Sequence, residues 1–153
     1  AFTHPESGIA CAHNGWIGGF RGTVGHRLLG ELDPDRFAEM PTLNDSAAFF
    51  CGIVQALDRG RGLAEALVEH TAHVLALCRK QNEAVTLSVA LTSLDQTVAL
   101  RTALGIAPNS LYVSRRSNGH VLASEALDEG NWEPVPIDHV VTMTRDTVET
   151  ARF

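Results

Sequence analysis

The sequence predicts an α+β fold. An early apolar run at residues 8–13 is followed by two long helical patterns at 46–57 and 63–79. From residue 85 the apolar period changes from 3.6 to 2 and stays there, so the strands of the second half come in antiparallel succession.

The elements follow in order. Gly8-Ile9-Ala10-Cys11-Ala12-His13 is short and apolar, as a buried strand is. Residues 21–32 carry Val24, Leu28 and Leu32 on one helical stripe, and Asp33-Pro34 ends it. Residues 46–57 place Phe49, Phe50, Ile53, Val54 and Leu57 at helical spacing, and 58–62 (Asp-Arg-Gly-Arg-Gly) form a turn. The helix at 63–79 buries Leu63, Leu67, Val74, Leu75 and Cys78. Val85, Leu87, Val89 and Leu91 then alternate with Thr86, Ser88, Ala90 and Thr92, an unambiguous strand. Residues 96–104 pair with it, 111–115 and 120–124 form a hairpin across Ser117-Asn118-Gly119, and 139–145 close the sheet.

A chain of 153 residues makes one core, and therefore one domain, the default. Its net charge of −6 and scattered basic residues argue against a nucleic-acid partner. Arg59, Arg61, Arg115 and Arg116 read as solvated loop charges. No apolar stretch is long enough to span a bilayer, so no membrane partner is expected. Cys11, Cys51 and Cys78 are odd in number and lie in apolar segments, which suits reduced core thiols and a cytoplasmic location. No histidine pairs with a cysteine at ligand spacing, so no metal is expected. His70 and His73, three apart on one helix, read as a packed or solvated pair before a metal pair.

Two short motifs carry chemistry. His13-Asn14-Gly15 sets a side-chain amide beside an unhindered backbone N–H, the minimum equipment for holding an oxyanion. Taken alone, Asn-Gly is better read as a hairpin turn. Downstream, Asn44-Asp45-Ser46 opens the helix that begins Ala47-Ala48-Phe49-Phe50. Asp45 there serves equally as a helix cap or as a carboxylate facing a ligand.

In that order and spacing the two motifs resemble class II glutamine amidotransferases, N-terminal-nucleophile hydrolases that cleave γ-glutamyl amides. Ser110-Leu111-Tyr112-Val113, Val121-Leu122-Ala123-Ser124-Glu125-Ala126-Leu127, Trp132 and Val135-Pro136 further resemble the ending of the branch that contains the ergothioneine-pathway amidohydrolases. The resemblance spans roughly Phe2 to Thr144. It implies an αββα sandwich of the N-terminal-nucleophile hydrolase type, incomplete at its N-terminus. It makes Asn14 and Gly15 the oxyanion-binding pair and Asp45 the partner of the substrate's α-ammonium group. Ser46 and His13 belong to the same substrate-binding loop, with His13 fixing that loop and not acting as a base.

The family's nucleophile is an N-terminal cysteine assisted by its own α-amine, whereas this sequence opens Ala1-Phe2-Thr3-His4-Pro5. Residues 1–153 are therefore expected to be the C-terminal two-thirds of a single domain. The cysteine and the arginine that binds the substrate carboxylate would lie on a missing N-terminal segment or a complementary chain, and the 153 residues alone would be inactive. The expected substrate is a small γ-glutamyl compound, with no cofactor. A non-catalytic α+β binding or assembly module, and an ammonia-supplying glutaminase subunit, remain as alternatives.

Overall fold

A computed structural model describes residues 1–153. It is built around a six-stranded antiparallel sheet. Strand β1 (Phe2–His4) turns through Pro5–Gly8 into β2 (Ile9–Ile17). The other edge of β2 pairs along its length with β3 (Val85–Thr92), and β3 with β4 (Thr97–Leu104). β8 (His139–Met143) and β9 (Val148–Arg152), the last two strands of the chain, complete the sheet in the order β1-β2-β3-β4-β8-β9.

Four helices lie between β2 and β3: α1 (Thr23–Gly30), α2 (Pro34–Ala38), α3 (Asp45–Asp58) and α4 (Leu63–Gln81). α3 starts where it does because Asn44 Oδ1 accepts the Ala47 N–H at 2.8 Å, satisfying one of the helix's unpaired donors. α4 ends at Asn82, whose left-handed backbone (φ 55°) stops the helix. Together α3 and α4 cover one face of the sheet. The interior between them contains Ile17, Phe49, Ile53, Leu67, Val74, Leu87, Val89 and Leu100, all fully buried. Each such side chain contributes about 1.5–3 kcal/mol of hydrophobic stabilisation. Gly52 in mid-α3 is explained by this crossing, because a Cβ there would run into the His70 ring of α4.

The opposite face of the sheet is covered over its β4–β8 half by a three-stranded sheet. β5 (Tyr112–Arg116) lies between β6 (Gly119–Ala123) and β7 (Glu133–Pro134). Leu111, Val113 and Val135 pack there on Ala99 of β4 and on Val141 and Met143 of β8 (His139–Met143), a second, smaller core. β9 (Val148–Arg152) takes the outer edge. The layers therefore run helices, sheet, sheet. No helix is long and apolar enough to cross a membrane.

Several elements differ from the sequence reading. β2 does not stop at His13 but runs to Ile17, with Asn14 opposite Ser88 and Gly15 opposite Leu87, so Asn14-Gly15 is strand and not turn. Pro34 ends one helix and starts another, occupying the first turn of α2, where its missing N–H costs nothing. The sheet is not closed by 139–145. β8 ends at Met143, and β9, with one strongly apolar residue, reads from sequence as loop because an exposed edge strand needs no buried face. β1 and β7 are likewise too short to show a period.

Candidate functional site

The site is set by the direction in which β2 points its backbone. Gly18 N–H donates to Ala84 O at 2.8 Å, continuing the β2–β3 register by one pair. Antiparallel alternation therefore turns the N–H groups of even-numbered residues of β2 toward β3 and those of odd-numbered residues toward the opposite edge. At that edge Ile17 N–H donates to Asp45 Oδ2 at 3.0 Å. Gly15 N–H emerges on the same edge two residues earlier, about 6.6 Å away. β1 pairs only as far along β2 as Cys11, so it supplies no partner for Gly15.

Asp45 is held rigidly. Besides Ile17 N–H, its carboxylate accepts the Ser46 N–H (2.8 Å) and the Ser46 hydroxyl (3.3 Å), both at Oδ1. A carboxylate has about four acceptor positions, which leaves one open on Oδ2. The helix is capped by Asn44 and not by Asp45, which corrects the capping role that sequence position allowed. Asp45 is thus the first residue of α3, with its charge directed back onto the end of β2.

His13 completes this cluster. Its side chain points to the helical side, stacks on Phe49 with ring centroids 5.9 Å apart, and brings Nδ1 within 2.7 Å of Ser46 Oγ. Ser46 has a single proton, directed at Asp45, so His13 Nδ1–H is the donor and the order is His13 to Ser46 to Asp45. Burial pulls the His13 pKa below its ordinary value, against the opposing pull of Asp45, which keeps the ring neutral at pH 7. Its Nε2 is buried without a partner beneath Gly15. A Cβ at position 15 would strike both that nitrogen and the Thr86 carbonyl oxygen, so glycine is required by close approach and not by a turn.

Asn14, on the opposite face of β2, is solvent-exposed. Its backbone carbonyl and its side-chain Oδ1 both accept from Asn109 Nδ2, at 3.2 and 3.3 Å, while Asn14 Nδ2 makes no hydrogen bond. Beyond Asp45 a cleft of about 1050 Å³ opens among Trp16, Phe20, Arg21, His26 and Leu43. Trp16 is 48% exposed, and its indole forms part of this wall.

Of the five residues singled out in the sequence, His13, Ser46 and Asp45 are joined by hydrogen bonds between β2 and the start of α3, with Gly15 over the His13 ring, while the Asn14 side chain stands apart on the opposite face of β2. Asn109 and the cleft residues were not legible in the sequence. Asn109 reaches Asn14 across 95 positions, in a Pro-Asn-Ser stretch that reads as an ordinary loop. Trp132 donates its indole N–H to Asp128 at 3.0 Å beneath Arg116 and lies outside the cleft. Ser124 enters a loop bond, its carbonyl accepting from the Ser110 hydroxyl.

The other reactive side chains lie apart. Cys11, Cys51 and Cys78 are buried free thiols. Burial pushes Cys11 up to about 12 and Cys78 up to about 11, and it raises Cys51 against the opposing charge of Arg36. None of the three is a ready nucleophile. His73 pairs with Glu31 at 2.6 Å, and His70 packs on Phe49 with centroids 4.9 Å apart. No group of three or more metal-ligating side chains converges anywhere in the chain.

Neither a family model nor a curated protein matches the chain. Solved structures do. A glutamine aminotransferase class-II domain protein from Silicibacter pomeroyi superposes with a TM-score of 0.81 at 21% identity, over 95% of this chain and 68% of that one. Glutamine phosphoribosylpyrophosphate amidotransferase from B. subtilis, complexed with ADP and GMP, superposes with a TM-score of 0.60 at 14% identity, over 98% of this chain and 30% of that one. A predicted glutamine amidotransferase from Pseudomonas aeruginosa gives a TM-score of 0.59 at 18% identity, over 92% of this chain and 59% of that one. The chain has the fold of the class II glutamine amidotransferase domain, of the N-terminal-nucleophile hydrolase type, and spans between about a third and two thirds of these proteins.

Proposed function

We propose that this chain forms the oxyanion-binding and amine-binding part of a glutamine amidotransferase domain that hydrolyses a γ-glutamyl amide through a cysteinyl thioester. One observation carries the reading: the Gly15 N–H and the Asp45 carboxylate lie on the same free edge of β2, two residues apart. The three-carbon arm of a glutamyl group can bridge that span, with its γ-carbonyl oxygen at Gly15 and its α-ammonium at the open position of Asp45 Oδ2.

The chemistry follows from those placements. A thiolate attacks the γ-carbonyl carbon, and the carbonyl electron pair moves onto oxygen. Gly15 N–H and Asn14 Nδ2–H donate to that oxygen as its charge develops. Collapse breaks the C–N bond and expels ammonia, or an amine in a conjugate, which takes the proton that the cysteine's α-amine drew from the thiol; water then hydrolyses the γ-glutamyl thioester to glutamate and returns the thiol. Asp45 selects a free α-ammonium through a charge-assisted bond. His13, neutral and half-buried, holds Ser46 and through it Asp45, and moves no proton of the substrate.

The nucleophile in this reading is an N-terminal cysteine on a segment or chain that complements residues 1–153, because the three cysteines present are buried and held protonated. The likeness of residues 110–136 to the ergothioneine-pathway branch supports a γ-glutamyl conjugate as well as glutamine as substrate. The test is glutamate release from glutamine by the complete domain, wild type against Asn14→Ala. Robust turnover that falls about 10²–10³-fold in the variant supports the reading. Turnover equal in both overturns the oxyanion role of Asn14, and a complete wild-type domain with no hydrolysis of any γ-glutamyl amide overturns the whole reading in favour of a binding module.

A further inference from the structure

We infer that Asn109 is a positioning residue for the oxyanion site, locking the Asn14 amide so that its NH2 group, and not its oxygen, faces the reacting carbonyl. The inference rests on the functional reading above and adds a residue to it.

The orientation follows from hydrogen-bond bookkeeping. One terminal atom of Asn109 lies 3.2 Å from the Asn14 backbone carbonyl oxygen and 3.3 Å from the end of the Asn14 side chain. A backbone carbonyl can only accept, so that atom is the Asn109 NH2. The Asn14 atom it also touches must then be an acceptor, Oδ1, which leaves Asn14 Nδ2 free to donate elsewhere. Without such a lock a side-chain amide can present either end, and its oxygen would repel a developing oxyanion.

Asn109 is itself tightly placed. Its N–H donates to Thr86 Oγ1 at 3.1 Å. Its carbonyl accepts from Arg101 Nε at 2.6 Å and from the Ser88 hydroxyl at 3.4 Å. Arg101 is in turn held by the Val135 carbonyl at 2.8 Å. The loop between β4 and β5 is thus fastened by three polar side chains of β3 and β4 onto the face of β2 that bears Asn14. Thr86 and Ser88 are buried although they are polar, and their bonds to Asn109 account for them.

The test uses Asn109→Ala and Asn109→Asp in the complete domain. Alanine frees the Asn14 amide to sample both orientations. Aspartate, which only accepts, draws the Asn14 NH2 to itself and turns Oδ1 toward the substrate. The expected losses in kcat are about 10-fold for alanine and about 100-fold for aspartate, approaching removal of a whole oxyanion donor, with KM for glutamine within about twofold of wild type. Side-chain NMR of Asn14 reads the orientation directly. Its Cγ resonance should move upfield in Asn109→Ala, and one amide proton should move downfield in Asn109→Asp as it donates to a carboxylate. Unchanged Asn14 resonances in both variants overturn the lock, whatever the activity. Changes in KM with kcat preserved overturn the catalytic consequence and leave Asn109 a loop anchor. A wild type with the expected NMR responses but no glutamine hydrolysis overturns the functional reading, and the catalytic role of Asn109 with it.

Discussion

Replacing Asp45 with asparagine should damage both stability and substrate recognition, and the structure gives the size of each effect. The wild-type carboxylate accepts the Ile17 N–H at 3.0 Å and the Ser46 N–H at 2.8 Å on its two oxygens. Asparagine has one oxygen. Whichever way the amide turns, its NH2 faces one of those backbone donors, and one charge-assisted bond is lost. Such bonds are worth about 1.5–3 kcal/mol. For a domain of this size, at about 2–4 °C per kcal/mol, the expected drop in Tm is about 3–12 °C. Had Asp45 been the helix cap, asparagine would have replaced it with little loss, but that role belongs to Asn44. In the proposed function the same substitution in the complete domain also removes the charge that would face the substrate's α-ammonium, a further loss of about 1.5–3 kcal/mol or about 10- to 150-fold in kcat/KM for glutamine. Thermal unfolding and steady-state kinetics separate the two effects, with an analogue lacking the α-amine as control. That analogue should be hydrolysed equally slowly by wild type and variant at temperatures where both are folded. A Tm within about 1 °C of wild type would refute the argument from the two backbone donors. Equal losses toward glutamine and the amine-free analogue would refute the ammonium-binding role.

His70 and His13 should make the domain acid-labile. Burial, and for His70 the neighbouring His73, lower the His70 pKa to about 4, and burial lowers that of His13. Both rings therefore bind protons more readily unfolded than folded. Stability should be full above pH 6.5 and fall toward pH 4, by at most about 1.4 kcal/mol per pH unit for each ring. Urea midpoints across that range check this, and His70→Gln should flatten the profile; a wild-type profile flat from pH 7 to 4 would refute it. The three cysteines should resist a thiol-labelling disulfide reagent in the native state at pH 8 and react fully in guanidinium. Residues 1–153 by themselves should release no ammonia from glutamine. Ammonia release abolished by alkylation would mean that Cys11, Cys51 or Cys78 reaches a substrate after all.

The α+β class, the two long helices and the β3–β4 pair were legible in the sequence, because each buries one face and burial imposes its period. Phe49, Ile53 and Leu67 on the helices, and Val85, Leu87 and Val89 on β3, lie in the core as their spacing requires. His13, Asn14, Gly15, Asp45 and Ser46 were nameable because their two motifs, in that order and spacing, resemble those of class II glutamine amidotransferases; alone, Asn-Gly reads as a turn and Asp45 as cap or ligand. Their arrangement was not legible. Whether Asn14-Gly15 turns or continues is decided by β3, which pairs with β2 and extends it to Ile17. That pairing sends the Gly15 N–H to the open edge and the Asn14 side chain to the opposite face. The sequence also left Asp45 open between helix cap and ligand-facing carboxylate: in the fold Asn44 is the cap, and the Asp45 carboxylate turns to the Ile17 N–H at the end of β2. Asn109 carries no local signal at all. Its meaning comes from a hydrogen bond across 95 residues, and only the tertiary fold, by laying the β4–β5 loop over β2, brings the two side chains together.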